Sequence, residues 1–394
     1  MVASALAGAI AGCGDDGGGG GSGETTGATS DGTSAGTSGS EGPGTSSGDT
    51  STSDGATDGS TGNGTTTGET SGSSGSSGGL DNEIVFVSER DGMADIYVIR
   101  LDGSDATNLT NEPSSTDEDP RWSPDGTRIA FTTSRDGFSE VYVMDADGSN
   151  LVNVSNDPSI DDSPTWAPDG QRLAFVSERD DLSQIYVVSA DGTGLVNISD
   201  PLTGESSPMW STTAGRILFR RSVGGEPDLW ARDADGSNLM NLTDGPGQER
   251  YATYSPDGTM ISYSSTRNGN SDAWVMNADG SDQHTVSAEP SGELLYFFPW
   301  APDSSRLAVP FIVGTTNSPI ITVRADGTDR RDLTDGTTGD TAPTWSPDGE
   351  WIGFVRRVGD IRYLMVMRPD GSEQTSLFEP LAAFAGSPLF RPTP

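Results

Sequence analysis

From residue 81 onward, short apolar runs alternate with polar turns, and this pattern repeats along the chain. In several repeats an apolar run ends on an aromatic residue, at 84–86, 129–131, 173–175 and 352–354. A polar loop follows, and then a segment in which apolar and polar positions alternate, such as DIYVIR at 95–100. Runs of this length with period-two alternation are typical of β-strands. The chain from residue 81 is therefore predicted to be all-β.

Two turn markers give the length of the repeat. The pair Asp-Gly recurs every 44 to 47 residues, at Asp102, Asp147, Asp191, Asp235, Asp279, Asp326 and Asp370. A second marker, W-[SA]-P-D-G or a decayed form of it, keeps the same spacing at Trp122, Trp166, Trp210, Tyr254, Trp300, Trp345 and Phe390. A period of about 45 residues is typical of the four-stranded blade of a β-propeller. Seven copies of each marker predict a seven-bladed β-propeller over residues 81–394.

The order of the strands predicts how the ring closes. Each repeat is predicted to contain four strands. A short first strand ends at the Trp marker, and a P-D-G hairpin turn leads from it to the apolar strand. The alternating strand comes third, and the Asp-Gly turn leads from it to a short last strand. The first repeat lacks the opening strand, and an opening strand without a repeat of its own lies at 388–391. We expect this C-terminal strand to complete the first blade, so that no sheet edge is left free.

The chain before the repeats has a different composition. Residues 14–80 contain 23 Gly, 29 Ser or Thr, nine acidic residues and no Arg. Such a segment cannot bury enough apolar surface to offset the entropy lost on ordering, so it is predicted to be a disordered linker. The chain is thus divided into an N-terminal segment (1–13), a linker (14–80) and a propeller (81–394).

The N-terminal segment ends at Cys13, the only Cys of the chain. It is apolar, and as a helix it would extend about 18 Å, too short to span a bilayer, so it is typical of the end of a secretory signal. The residues Ile10-Ala11-Gly12-Cys13 resemble the bacterial lipobox, which implies that Cys13 is lipidated and becomes the mature N-terminus. The alternative is a chance apolar start with an idle thiol.

The resemblance to the lipobox implies a location. The chain would be attached to a membrane through this N-terminal lipid only, and Gly14 after the Cys favours the outer membrane, facing the periplasm or the cell surface. No basic residue precedes the apolar run, which predicts that the true start codon lies upstream.

Charge and rare residues exclude several classes of function. The formal net charge is −37, all 22 basic residues are Arg, and the chain has a single His, His284. Without Lys there is no P-loop and no Schiff base, and one Cys with one His cannot build a zinc site. A polyanion should repel nucleic acid, so no nucleic-acid partner is expected.

Three motifs together resemble the TolB-type propeller, a WD-like repeat family of bacteria. They are W-[SA]-P-D-G, S-x-R-[DN]-G as at 88–92, and [IV]-Y-V-x-x-x-D-G followed by N-[LVI]-[TS], and they cover residues 84–394. The resemblance implies an envelope protein that binds another protein, as TolB binds a peptidoglycan-associated lipoprotein. TolB carries an α/β domain before six blades, whereas this chain has a linker and seven repeats. We expect a monomer with an envelope protein as its partner.

Strand direction separates the loops into two groups. The P-D-G and Asp-Gly turns share one face of the ring, the turn face, and hardly vary. The loops after the apolar strand and those leading into each Trp strand share the opposite face, the variable face. Binding sites of repeat folds tend to lie on variable loops held by a constant scaffold, so we expect the site on the variable face.

A charged ring is predicted on the variable face. Four Arg residues each follow a strand aromatic by four positions, and acids of neighbouring loops should lie beside them: Arg90, Arg135, Arg179, Arg267, Asp117, Asp119, Asp161 and Asp162. The Arg residues either form salt bridges between blades that fix the loops, or grip an anionic ligand.

A set of acids could also converge on the channel mouth, namely Asp119, Asp162, Glu205, Glu249, Glu293 and Asp340. Carboxylates suit Ca²⁺, so a structural calcium ion is an alternative to a solvated rim. Otherwise no metal site and no cofactor is predicted.

The junction between the fifth and sixth repeats is unusually apolar. It contains Leu294, Leu295, Tyr296, Phe297, Phe298, Phe311 and Ile312. Adjacent apolar loops can form a patch that binds a protein partner. Alternatively, these side chains plug the channel or pack between blades.

Catalytic motifs are scarce, and we expect no enzyme. His284 lies in a last strand, where a packing role is expected, and residues 81–394 contain no G-x-S-x-G motif. The N-x-[ST] triplets recur once per repeat and are interpreted as repeat structure. The sequence favours a non-catalytic protein-binding scaffold; the alternative is a ligand-binding or hydrolytic propeller that uses carboxylates at the channel mouth.

Overall fold

The computed structural model describes residues 83–213, 215–287, 292–293, 297–313, 318–377 and 388–393, without the side chains of 292–293 and 312–313. Every element of this part of the chain is a β-strand, and none of it is a helix that could cross a membrane. The predicted lipidation site Cys13, the linker 14–80, and Leu294, Leu295, Tyr296 and the Ile312 side chain lie outside the description.

The strands form the seven predicted blades. Blades 1 and 2 contain β1 (Glu83–Ser88), β2 (Asp95–Arg100), β3 (Thr107–Asn108), β4 (Asp117–Trp122), β5 (Arg128–Thr133), β6 (Glu140–Asp145) and β7 (Val152–Asn153). Blades 3 and 4 contain β8 (Asp161–Trp166), β9 (Arg172–Ser177), β10 (Gln184–Ser189), β11 (Val196–Asn197), β12 (Glu205–Trp210), β13 (Arg216–Arg221), β14 (Asp228–Asp233) and β15 (Met240–Asn241).

The remaining blades follow in chain order. Blade 5 contains β16 (Glu249–Tyr254), β17 (Met260–Ser265), β18 (Asp272–Asn277) and β19 (His284–Ser287). Blade 6 contains β20 (Gly292–Glu293), β21 (Arg306–Pro310), β22 (Ile312–Val313), β23 (Ile320–Arg324) and β24 (Arg331–Asp332). Blade 7 contains β25 (Gly339–Trp345), β26 (Ile352–Val358), β27 (Ile361–Met367) and β28 (Thr375–Ser376), and β29 (Leu389–Phe390) is the last strand.

Each regular blade is an antiparallel meander in chain order, and the core lies between neighbouring blades. The aromatic residue of the apolar strand is fully buried, as Phe86, Phe131 and Phe175 show. Each of these rings packs on the Tyr of the next strand, for example Phe175 on Tyr186 with a centroid distance of 6.0 Å. The alternation read from the sequence is therefore the alternation between the two faces of each blade.

The predicted closure by the C-terminal strand is confirmed. Strand β29 pairs antiparallel with β1, with Ile84 opposite Phe390, and completes blade 1. A salt bridge of 2.6 Å between Arg391 and Glu83 lies beside this pairing. The Nε1 group of Trp122 donates to the carbonyl oxygen of Leu389 at 3.3 Å, which joins blade 2 to the closing strand.

The Asp-Gly turns bring neighbouring blades into close contact. Gly148 has a φ of +84°, and a Cβ there would lie 2.8 Å from the carbonyl oxygen of Leu109 in the preceding blade. Gly371 has the same φ and would meet Leu333 O at 2.6 Å. Glycine is required here both by the left-handed backbone and by the close approach.

Blade 6 is the irregular blade. Strands β21, β23 and β24 form one sheet and β20 pairs with β22, while Trp300 joins Leu307 only through an isolated bridge. The irregularity coincides with the longest interval between Asp-Gly turns, from Asp279 to Asp326.

Candidate functional site

The first strand carries a bulge in blades 2, 3, 4, 5 and 7. In β4, β8, β12, β16 and β25 the register with the next strand shifts within the strand. The residue three positions before the Trp marker has a φ between 50° and 55°, at Asp119, Ser163, Ser207, Tyr251 and Ala342. Bulges re-aim side chains, and Asp119, Ser163 and Ser207 line a cavity in the channel.

A buried carboxylate marks the start of these strands, five positions before the marker. Each of these five side chains is almost fully buried: Asp117, Asp161, Glu205, Glu249 and Asp340. Burial raises the pKa of the carboxyls of Asp161, Glu205 and Glu249, while hydrogen bonds and Arg charges oppose the shift. A buried charge requires a partner, and each of the five has an Arg.

The Arg partners include three of the predicted ring. Arg179 Nη2 lies 3.2 Å from both carboxylate oxygens of Asp161. Arg135 Nη2 likewise contacts both oxygens of Asp117, at 3.3 and 3.5 Å. Arg267 Nη2 contacts Oε1 of Glu249 at 3.1 Å. Each pair lies within one blade, which corrects the expectation of bridges between blades. The guanidinium groups also lie over aromatic rings, Arg179 at 4.7 Å from the Tyr186 centroid. Arg suits this position better than Lys because its planar group stacks and hydrogen-bonds together.

Two blades take the Arg from another position. In blade 7, Arg356 binds Asp340 with two contacts of 2.8 Å. In blade 4, Arg221 and Arg232 both contact Glu205. Arg90 of blade 1 differs again: it lies 3.9 Å from the exposed Asp91 and 5.9 Å from the Tyr97 centroid. The constant member of the pair is the acid five residues before the marker, a spacing that is visible in the sequence.

The N-x-[ST] triplets form part of the blade itself. The hydroxyl of the third residue accepts a hydrogen bond from the third strand, as Ser155 does from Val141 N at 3.0 Å. The Asn side chain binds the Tyr and acid at the variable face, and Asn197 Nδ2 lies 3.1 Å from Tyr186 Oη and 3.0 Å from Asp180. The interpretation of these triplets as repeat structure is confirmed.

The acid set proposed for the channel mouth does not act as a unit. Glu205, Glu249 and Asp340 pair with Arg residues of their own blades, and the Glu293 side chain lies outside the description. Asp162 is half-buried at the second position of β8. Within the described ranges, no three His, Cys, Asp or Glu side chains are grouped so that they could hold a metal ion.

The channel contains a cavity of about 300 Å³ beside blades 1 to 4. Its wall consists of the inner strands and the first turn residues, including Trp122, Trp166, Trp210, Pro124, Pro164, Pro208, Met209 and Phe390. Asp119 and Arg121 line it as well. Burial raises the pKa of Asp119 to about 7, with Asp162 and Glu118 raising it further and Arg121 lowering it.

The apolar junction lies partly inside the molecule. Phe298 and Phe311 are buried in the core between blades 5 and 6, so these two do not belong to an exposed docking patch. Phe297 lines the channel cavity and packs edge-on against Tyr251 at 5.6 Å. For these three residues the structure supports the alternative of packing between blades and in the channel. Phe298 lies two residues before Trp300 in the chain, and both side chains are buried in this core.

His284 has a packing role. Its Nδ1 lies 2.8 Å from Asp282 O and its Nε2 lies 2.9 Å from Ala325 O, so the ring joins blades 5 and 6.

A feature that the sequence analysis missed is a row of exposed apolar side chains on the variable face. Met93, Phe138 and Leu182 occupy equivalent positions after β1, β5 and β9 and are 44%, 53% and 39% exposed. Further exposed residues lie in loops of the same face, and we call the whole set the apolar row: Met93, Phe138, Ile160, Leu182, Leu202 and Val223. The signal was the apolar residue after R-D-G or R-D-D in three consecutive repeats.

Comparison with known proteins identifies related domains. The family model of the TolB beta propeller domain matches residues 113–201 and 196–385. TolB from Acinetobacter baumannii is 17% identical over 76% of this chain and 79% of its own, with a TM-score of 0.49.

Two solved enzymes share the fold. The oligogalacturonate lyase from Vibrio parahaemolyticus is 14% identical over 70% of this chain and 83% of its own, with a TM-score of 0.55. A puromycin-hydrolyzing peptidase from Mycobacterium tuberculosis is 12% identical over 75% of this chain and 53% of its own, with a TM-score of 0.58. At these identities the similarity shows a common propeller architecture.

Proposed function

The chain belongs to the TolB β-propeller family, and we propose that it is a non-catalytic scaffold that binds a protein partner in the bacterial cell envelope. In this proposal a lipid on Cys13 holds the chain at the outer membrane and residues 14–80 act as a linker. The loops of the variable face bind the partner.

The apolar row is the observation that carries the proposal. Solvent-exposed side chains as large as Phe138 and Leu182 at equivalent loop positions are hard to explain by packing within the blade. Exposed apolar residues also occur on the turn face, but the two most exposed large apolar side chains of the described residues, Leu202 and Val223, belong to the apolar row. Large exposed apolar patches are typical of protein interaction sites. Because they lie on loops above rigid blades, they are already ordered for binding.

The charges of these loops suggest the chemistry of the partner. Exposed carboxylates flank the apolar row in blades 1 to 3, at Glu89, Asp91, Asp136, Glu178 and Asp181. A partner with an apolar patch bordered by Arg or Lys would match this surface. Such a complex should weaken as salt concentration rises, because exposed charges are screened.

Five buried carboxylates and His284 support the non-catalytic part of the proposal. Asp117, Asp161, Glu205, Glu249 and Asp340 are each bound to an Arg that stabilises the blade. His284 contacts two backbone carbonyl groups. These residues hold the structure and present no pair of free carboxylates for hydrolysis.

The proposal is tested in cells that make the protein, by chemical crosslinking and purification of the full chain. The variant Met93→Ser/Phe138→Ser/Leu182→Ser should lose a stoichiometric partner that the parent chain retains, since the anchors of an interface carry most of its binding energy. Cys13→Ser should move the chain from the membrane fraction to the aqueous fraction.

The matched control changes three Leu residues on the turn side of blades 2 to 4. Leu151, Leu195 and Leu239 are 42%, 37% and 42% exposed, so Leu→Ser there removes comparable apolar surface. The control should keep the partner. Equal retention of the partner by both triple variants, or equal loss from both, would contradict a binding site on the variable face.

A further inference from the structure

Two oppositely charged side chains in the channel cavity form no ion pair with any described residue. Asp119 is 7% exposed, lines the cavity and makes no hydrogen bond or ion pair with any described residue. Arg121 lines the same cavity, and its guanidinium lies over the ring of Phe297, 6.0 Å from the centroid. The contrast with Asp117 and Asp161, which each have an Arg partner, makes Asp119 exceptional among the buried acids.

The two charges attract each other without forming an ion pair. They lie two positions apart in β4, where Asp119 has a left-handed φ of 55°, and the Arg121 charge lowers the pKa of Asp119 but does not offset the effect of burial. An unpaired buried charge is costly, so a carboxylate left in this state indicates a missing partner.

Most of the rest of the wall is apolar, and its polar members are the hydroxyl residues Ser163, Thr165 and Ser207. Trp122, Trp166 and Trp210 are buried, and the indole N–H groups of the first two are used by the backbone carbonyls of Leu389 and Arg121. The hydroxyl of Thr165 accepts from Trp210 N at 3.3 Å. An apolar cavity of about 300 Å³ with a few convergent polar groups is typical of a small-molecule site.

We propose that this cavity binds a small zwitterion, an α-amino acid with an apolar side chain. The ammonium group pairs with the Asp119 carboxylate, the ligand carboxylate pairs with Arg121, and the apolar side chain lies against the Trp and Pro residues of the wall. This site is independent of the proposed partner surface, because none of the apolar row lines the cavity.

The charge balance favours a zwitterion over simpler ligands. A cation alone would satisfy Asp119 and leave Arg121 desolvated beside it, and an anion alone would leave Asp119 unpaired. A metal ion would find one carboxylate, since no group of three acidic or His ligands occurs among the described residues. A ligand with both charges leaves neither group unpaired.

The proposed site also has a defined pH response. The charged groups that act on Asp119 are Glu118 and Arg121 on its own strand and Asp162 on the next blade, and its pKa of about 7 reflects mainly burial. An ammonium group binds the ionised carboxylate, so affinity should increase as pH rises from 6 to 8. An uncharged contact at this position would show no such dependence.

The test is calorimetric titration of the full chain with L-phenylalanine, phenethylamine and 3-phenylpropionate as probes. We expect L-phenylalanine to bind, and each probe with a single charge to bind about tenfold more weakly or worse, which corresponds to one lost charged hydrogen bond. Asp119→Asn and Arg121→Gln should each reduce the affinity for L-phenylalanine by at least about tenfold. Asp119→Asn should also remove the pH dependence.

Glu118→Gln is the matched control, because this acid adjoins Asp119 but does not line the cavity. It should retain binding. Thermal unfolding of each variant separates a folding defect from a lost contact, and Asn is well tolerated in the left-handed conformation of Asp119. Absence of L-phenylalanine binding to the folded parent chain, or equal binding of phenethylamine, would overturn the proposal.

Discussion

The inner strands and the Asp-Gly turns use the same kind of side chain in opposite ways. In the inner strands, burial raises the pKa of Asp161, Glu205 and Glu249. In the turns, the pKa of Asp147 and Asp370 is lowered by hydrogen bonds from the Ser two residues later. The Ser hydroxyl has the larger effect and the Ser backbone N–H the smaller one. The net negative charge alone therefore does not predict the effect on stability, because the effect of each carboxylate depends on where it lies.

The two groups respond oppositely to pH. A carboxyl with a raised folded-state pKa stabilises the fold at low pH, and this contribution is lost as pH rises through the folded-state pKa. A carboxyl with a lowered pKa stabilises the fold above its unfolded-state pKa, and this contribution is lost as pH falls through the folded-state value. Acidification should thus relieve the inner strands while it weakens the turns.

The largest effect is expected at Asp119, whose pKa is raised to about 7. This single group should cost the parent chain about 3 kcal/mol of unfolding free energy between pH 5 and pH 8. Asp119→Asn should remove that slope and be the more stable protein at pH 8. Urea unfolding at both pH values measures the difference, and parallel pH curves for the two proteins would refute it.

The next largest effect separates buried from exposed ion pairs. Arg179→Ala should lower the unfolding free energy by about 2 to 3 kcal/mol, because it leaves Asp161 buried without a cation and removes the stacking on Tyr186. Arg100→Ala removes an exposed pair with Asp105 and should cost at most about 0.5 kcal/mol. Similar losses in the two variants, measured by urea unfolding, would contradict this distinction.

A third comparison tests what glycine does on the two faces of blade 2. Gly148→Ala should cost about 2 to 3 kcal/mol, because the new Cβ would lie 2.8 Å from Leu109 O as well as in a left-handed backbone. Gly137 has a φ of +98° with nothing within 4 Å, so Gly137→Ala should cost only about 1 kcal/mol. Thermal unfolding would show two separate shifts; equal shifts would mean that contact between blades adds nothing.

The smallest effect is expected from the turn carboxylates. Asp147→Ala removes the acceptor for Ser149 N and Oγ at an exposed position, and its Tm should fall by less than that of Gly137→Ala. The loss should be largest above the unfolded-state pKa of Asp and should shrink as pH falls through the folded-state pKa, because the protonated carboxyl is the weaker acceptor. A similar loss at pH 3 and pH 7 would contradict this origin.

The blade plan could be predicted from the sequence because it depends on local chemistry repeated at a fixed interval. The markers that begin at Trp122, Trp166 and their equivalents, with the unpaired strand at 388–391, were enough to give the number of blades and the closure. The partners of Arg135 and Arg179 could also have been predicted, because Asp117 and Asp161 each lie five residues before the Trp marker.

The site could not be predicted to the same degree. Asp117 and Asp119 look equivalent in the sequence. Because β4 has a bulge between Glu118 and Arg121, Asp117 contacts Arg135, whereas Asp119 lines the cavity in the channel. Phe298 and Phe311 looked like surface anchors because an aromatic run gives no sign of which member points inward. Pairing within a blade rather than between blades likewise depends on side-chain reach, which spacing does not give.

Ring closure by β29 has a consequence for the time course of synthesis. Arg391 and Glu83, which contact each other beside the closing strand, are 308 positions apart. Blades 2 to 5 each consist of consecutive strands and can pair as soon as they leave the ribosome, whereas blade 1 waits until β29 has been translated. Until then one edge of β1 is unpaired, so β1 is open to chaperones, or to pairing with another copy.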